Sequence, residues 1–328
     1  MKLELKKYAY LFLGIITISI VFYLFFIRSN RVIIDSDDKN TYDLHVYPWG
    51  TQIMIKDLMT SSHTGDVINK EFVWERKPQK YSGFYQLDTG SHLLTDLLMM
   101  SRNDLKNNLD KHGIKYDDLY SSGYAYLQGG TPPINIDQDV RVDNKPHRMP
   151  VGLMALGEQK NMLREREIVN GVFGLADIHD GHPLKNYAVT DVLFRTSPRK
   201  TIMIDFKNEK MIVGAPEPNN YTFKGKMDYG NEQKGMMRMD VWIQDDRGEQ
   251  NKLLVDTGTL YSQYLYTGPI TLEGINERGS KGKLKMHNAK ILPKNLVGVG
   301  QKILGYNDLY KGYMYIDYET DTIYINQN

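Results

Sequence analysis

FYQLDTGSHL, Phe84 to Leu93, and KLLVDTGTLY, Lys252 to Tyr261, are the stretches on which the reading of this chain turns. In each, a short apolar run leads into Asp-Thr-Gly followed by a hydroxyl residue: Asp88, Thr89, Gly90, Ser91 in the first and Asp256, Thr257, Gly258, Thr259 in the second. One such tetrapeptide arises by chance in roughly one chain in a hundred of this length. Two of them, each behind an apolar strand, call for a common cause.

The surroundings supply it. Downstream of the first comes NGVFGLADI, Asn170 to Ile178, and downstream of the second QKILGYNDL, Gln301 to Leu309, each an apolar pair running into a glycine. Both copies then close on a hairpin-like pattern, TIMIDFKNEKMIV from Thr201 to Val213 and GYMYIDYETDTIYI from Gly312 to Ile325. The same landmarks in the same order mark an internal duplication. The turn-rich APEPNNY, Ala215 to Tyr221, divides the copies, giving one lobe over 41–218 and another over 219–328. Short β-prone runs bounded by Gly, Pro, Asn or Asp dominate from Tyr42 onwards, so the fold class is mainly β. Leu94, Leu97, Leu98 and Leu105 fall at helical spacing and predict a helix over Leu93 to Leu109.

The paired motifs resemble those of the pepsin-type and retropepsin-type aspartic proteases, over most of residues 80 to 328. The resemblance implies a bilobal fold with a pseudo-twofold axis, in which Asp88 and Asp256 form one catalytic pair. It also implies that Thr89 and Thr257 cross-link the two loops and that Phe173-Gly174 and Leu304-Gly305 pass beside them. A hairpin flap over the substrate would be GYAYLQGGTPPINI, Gly123 to Ile136, with Tyr124 or Tyr126 as its tyrosine. The second copy is short, closer to a retroviral subunit than to a pepsin lobe. The substrate expected is an extended polypeptide, with no cofactor and no metal, and with both aspartates in one chain no dimer is required.

The chemistry fits those residue types. Two carboxylates about 3 Å apart cannot both ionise, so one keeps a proton while its partner acts as base towards water. Gly90 and Gly258 let the backbone turn tightly and let the loops approach. Hydroxyls on Ser91 and Thr259 can donate to the outer carboxylate oxygens, which lowers the pair's titration and predicts an acidic optimum.

Tyr8 to Ile27 is about twenty residues without a charge, the length of a membrane-crossing helix. It follows a short N-terminus, 1–7, with Lys2, Lys6 and Lys7, and precedes Arg28 and Arg31, a charge bias that places the remainder on the exported side. The run ends FYLFFIRSN without a small-x-small cleavage site, so a retained signal anchor is expected, with 28–40 as a stalk. The 328 residues carry a net charge of +1 and no basic stripe, which argues against a nucleic-acid partner, and the absence of Cys removes disulfides and thiolate chemistry.

Other features are read more plainly. ADIHDGH, Ala176 to His182, brings Asp177, His179, Asp180 and His182 together, but on a stretch where a polar surface loop is expected. RGSKGK, Arg278 to Lys283, lacks phosphate-loop spacing and is expected to be a hairpin turn. Trp49, Trp74 and Trp242 are expected in core or cleft walls. The rival reading from another class is a non-catalytic pepsin-like binding or inhibitor protein held at the membrane.

Overall fold

The computed structural model describes residues 40–58, 81–98, 100–119, 133–155, 170–177, 184–228, 239–291 and 302–327. Residues Asp38–Asn328 form one compact unit. The expected membrane span 8–27, the flap tyrosines Tyr124 and Tyr126, Trp74, and His179, Asp180 and His182 lie outside the described residues. Among the described residues no helix is long and apolar enough to cross a membrane.

The first part of the chain supplies β1 (Thr41–Asp43), β2 (His45–Tyr47), β3 (Gly50–Leu58), β4 (Tyr81–Asp88) and β5 (Leu94–Leu98). After helix α1 (Arg102–Lys111) come β6 (Asp117–Asp118), β7 (Ile134–Val142), β8 (Lys145–Ala155) and β9 (Gly171–Gly174). Helix α2 (Val189–Phe194) leads to the hairpin β10 (Thr201–Asp205) and β11 (Lys210–Val213). The rest is β12 (Phe223–Asp228), β13 (Asp240–Gln244), β14 (Gln250–Asp256), β15 (Gln263–Tyr264), β16 (Gly268–Gly274), β17 (Lys281–Ile291), β18 (Lys302–Gly305), β19 (Tyr313–Asp317) and β20 (Thr322–Asn326).

These strands close one pairing scheme twice. The first ring runs β3-β4-β9-β5-β8-β7 and returns to β3; the second runs β13-β14-β18-β15-β17-β16 and returns to β13. In both, the Asp-bearing strand pairs in parallel with the glycine strand, β4 with β9 and β14 with β18. Closure leaves few free edges, which protects short strands from pairing with other chains. A further run, β1-β11-β10-β19-β20-β12, joins the two closing hairpins side by side, with Ile204 opposite Met314.

Local chemistry explains the elements. In β7, Asp137, Asp139 and Arg141 point outward while Ile136, Val140 and Val142 are buried, the alternation of a half-covered strand. The β7–β8 turn places Asp143 and Asn144 at φ of 44° and 68°, the left-handed pair that a tight hairpin demands and that Asp and Asn tolerate. RGSKGK does form the β16–β17 connection, with Gly279 at φ 75°.

Two expectations are corrected. Leu93 to Leu109 is not one helix: Leu94, Leu97 and Leu98 belong to β5, and only Leu105 and Leu109 belong to α1. All five residues of β5 are buried because it lies between β8 and β9, so it shows no alternation and its leucines mimic helical spacing. The helix begins where Ser101 caps it, its hydroxyl accepting from the Asp104 N–H at 3.2 Å. Trp49 is not in the core either. It is 47% exposed and stacks flat on Tyr47 at the turn into β3. Trp242 is half-buried, with Lys252 and Arg278 over its ring and its Nε1–H donating to Asp228.

Candidate active site

β4 and β14 end on the two aspartates. Register carries Leu87 opposite Phe173 and Asp88 opposite Gly174; in the second ring it carries Val255 opposite Leu304 and Asp256 opposite Gly305. The expectation that the apolar-apolar-glycine segments pass beside the aspartates therefore holds at the level of single residues. Side chains at those glycines would collide: a β-carbon on Gly174 would lie 2.5 Å from the Ser91 carbonyl oxygen, and one on Gly305 2.5 Å from the Tyr261 carbonyl carbon. That close approach is how each Asp loop is pressed against its neighbouring strand.

The loops are tied to each other by a reciprocal set of bonds. The Thr89 hydroxyl donates to the Val255 carbonyl at 2.8 Å and accepts from the Thr257 N–H at 3.1 Å. The Thr257 hydroxyl donates to the Leu87 carbonyl at 2.9 Å and accepts from the Thr89 N–H at 3.1 Å. Both threonines are fully buried, so these bonds act where water cannot replace them.

Above this tie the carboxyls of Asp88 and Asp256 face each other, both within about 3 Å of where a β-carbon on Gly90 would stand. Each also faces the glycine of the opposite loop: a β-carbon on Gly258 would stand 2.5 Å from Asp88 Cγ, and one on Gly90 3.0 Å from Asp256 Cγ. The Gly90 N–H donates to Asp88 Oδ1 at 2.7 Å, and the Gly258 N–H to Asp256 Oδ1 at 2.8 Å. The Thr259 hydroxyl donates to Asp256 Oδ2 at 2.7 Å. At Asp88 the matching contribution comes from the backbone N–H of Ser91 rather than from its hydroxyl.

Burial holds the Asp88 carboxyl well above the usual carboxylate range, and the charge of Asp256 adds to it. The N–H groups of Gly90 and Ser91 pull the other way. Two carboxyls facing each other this closely cannot readily both ionise, so a shared proton is favoured. Such a pair can take a proton from water and hand one to an oxygen.

Further side chains support the loops without having been singled out in the sequence. The Gln86 Nε2 donates to the Gly258 carbonyl at 3.1 Å. The buried Tyr306, directly after Gly305, donates to the Tyr47 carbonyl at 2.7 Å and accepts from Thr51 at 3.2 Å. Tyr318 donates to the Leu175 carbonyl at 2.5 Å. Gln86 was the most readable of these, because its counterpart in the second copy is the apolar Leu254. Asp177, from the polar stretch after Gly174, accepts from Lys185 at 2.8 Å and Thr190 at 3.2 Å. Among the described residues no cluster of His, Asp and Glu has the grouping of a metal site.

Neither a family model nor a curated protein matches the chain.

Proposed function

We propose that this chain is an aspartic endopeptidase of the pepsin-like type, with Asp88 and Asp256 as its one catalytic pair. The carrying observation is the facing pair of carboxyls at the ends of β4 and β14, seated on the reciprocal Thr89–Thr257 tie. The ring repeated around each aspartate supports a bilobal, internally duplicated architecture. In the reaction the ionised carboxylate takes a proton from a water, which attacks the scissile carbonyl carbon. The protonated partner bonds the carbonyl oxygen, and the proton later passes to the departing nitrogen. An extended polypeptide is the substrate, and Tyr8 to Ile27 anchors the enzyme with its catalytic part on the exported side.

The test is cleavage of an unfolded protein by the purified full chain in detergent, from about pH 3 to 7, with pepstatin as control. Hydrolysis confined to the acidic side and blocked by pepstatin is expected. A folded protein that cleaves nothing across that span contradicts the proposal and favours the binding-protein reading.

The glycines give a graded prediction. With the backbone in place, Gly258→Ala drives a methyl against the Asp88 carboxyl, so turnover falls by about 10²-fold, the scale of a 1 Å misplacement in an active site. Gly90→Ala meets Asp256 at a distance a small shift relieves, and its loss is smaller. Turnover of the two variants at one acidic pH checks the order.

A further inference from the structure

The two catalytic loops are alike in sequence but not in what holds them. In the second loop, the peptide joining Gly258 to Thr259 sits between two donors to Asp256. The Gly258 N–H lies on one side of it and the Thr259 hydroxyl on the other, bonded to Oδ1 and Oδ2 at 2.8 and 2.7 Å. That peptide's carbonyl oxygen accepts from Gln86 Nε2 at 3.1 Å, a bond that crosses from β4 to the opposite loop. No reciprocal bond can exist on the other side, because the residue two before Asp256 is Leu254, which has no donor. The twofold plan is broken at this position.

We infer that Gln86 is a positioning residue that braces the Asp256 loop from the opposite strand and so holds both donors on the Asp256 carboxyl. The inference rests on the proposed protease reading. Fixing the Gly258–Thr259 peptide fixes both donors at once, and two donors held on one carboxylate favour its ionised form. The titratable group facing Asp256 is Asp88, whose carboxyl is pushed above the usual carboxylate range by burial and by its neighbour's charge. Gln86 touches neither carboxyl. It acts through the Gly258 carbonyl, which its half-buried amide reaches from the opposite strand.

The experiment uses the full chain with Gln86→Met, which keeps the length and removes the donor, and Gln86→Glu, which can donate only while protonated. In Gln86→Met, kcat falls by about tenfold with KM within twofold of wild type, on the scale of loosened active-site geometry. The acid limb of its pH–kcat profile moves to higher pH, because the pair loses stabilisation of its charge. Gln86→Glu keeps near wild-type kcat at the acid end and loses it earlier as pH rises. A wild-type kcat with unmoved limbs in Gln86→Met overturns the inference, as does a loss of kcat that follows the melting temperature while the limbs stay in place. The readout that does not need turnover is carboxyl-carbon NMR. The lower apparent pKa of the Asp88–Asp256 pair rises in Gln86→Met if the brace acts as inferred, and an unchanged pair overturns it. Wild-type protein that titrates as described yet cleaves nothing counts against the protease reading and leaves the brace standing.

Discussion

Replacing either aspartate by asparagine is expected to cut peptide hydrolysis by at least about 10³-fold, the scale on which members of a catalytic unit fail. The fold should persist, because asparagine keeps an oxygen for the Gly90 or Gly258 N–H. Stability should even improve towards neutral pH. The Asp88 carboxyl titrates well above its unfolded range, so the folded protein holds a proton that the unfolded chain has already released. Its contribution is therefore complete below the ordinary carboxylate range and is lost as pH rises through the folded value. Asp88→Asn removes that loss. Its melting temperature should exceed that of wild type near pH 7 and should match it near pH 3, below the ordinary carboxylate range. Melting curves at the two pH values check the sign, and an equal shift at both would exclude the proton as its cause. Function here costs stability, as expected of a site that presses two acids together.

The second large effect lies below the carboxyls. Thr257→Val keeps the shape of the side chain but removes a hydroxyl that both donates to the Leu87 carbonyl and accepts from the Thr89 N–H. Both groups are left in a site from which water is excluded, since Thr257 and Thr89 are 0% exposed. A destabilisation of about 2–4 kcal/mol is expected, from two unmet buried groups. Turnover should fall with it, because the same bonds set the distance between the loops. Thr257→Ser keeps the hydroxyl and should recover most of both. Thr89→Val should behave alike, since its bonds to Val255 and Thr257 mirror the first set. Denaturant unfolding and turnover on the three variants separate the lost hydrogen bonds from the lost methyl.

Much of this arrangement was legible before any coordinates. The two Asp-Thr-Gly loops, the glycine strands behind them and the closing hairpins recur in the same order, and register confirmed the first two residue by residue. Segments buried on both faces were harder to read. In β5 the pairing with β8 and β9 erases the alternation that marks a strand, so Leu94, Leu97 and Leu98 looked helical. Trp49 lies outside the core for the opposite reason. Size and apolarity favour the interior, yet a turn residue stacked on Tyr47 stays in solvent. Gln86 and Tyr306 act across the seam between distant parts of the chain, and nothing local in a sequence states which carbonyl a side chain will reach. Gln86 left one trace, the mismatch with Leu254 when the copies are laid together.

The central claim is that Asp88 and Asp256 are one site. Turnover of Asp88→Asn, Asp256→Asn and the double variant, measured on one unfolded protein at the acidic optimum, tests it most directly. If the two carboxyls act as a unit, the double variant loses no more than either single one, because the first substitution already removes the shared function. Losses that multiply, or a single variant that retains wild-type turnover, would mean that the two aspartates do not share a reaction.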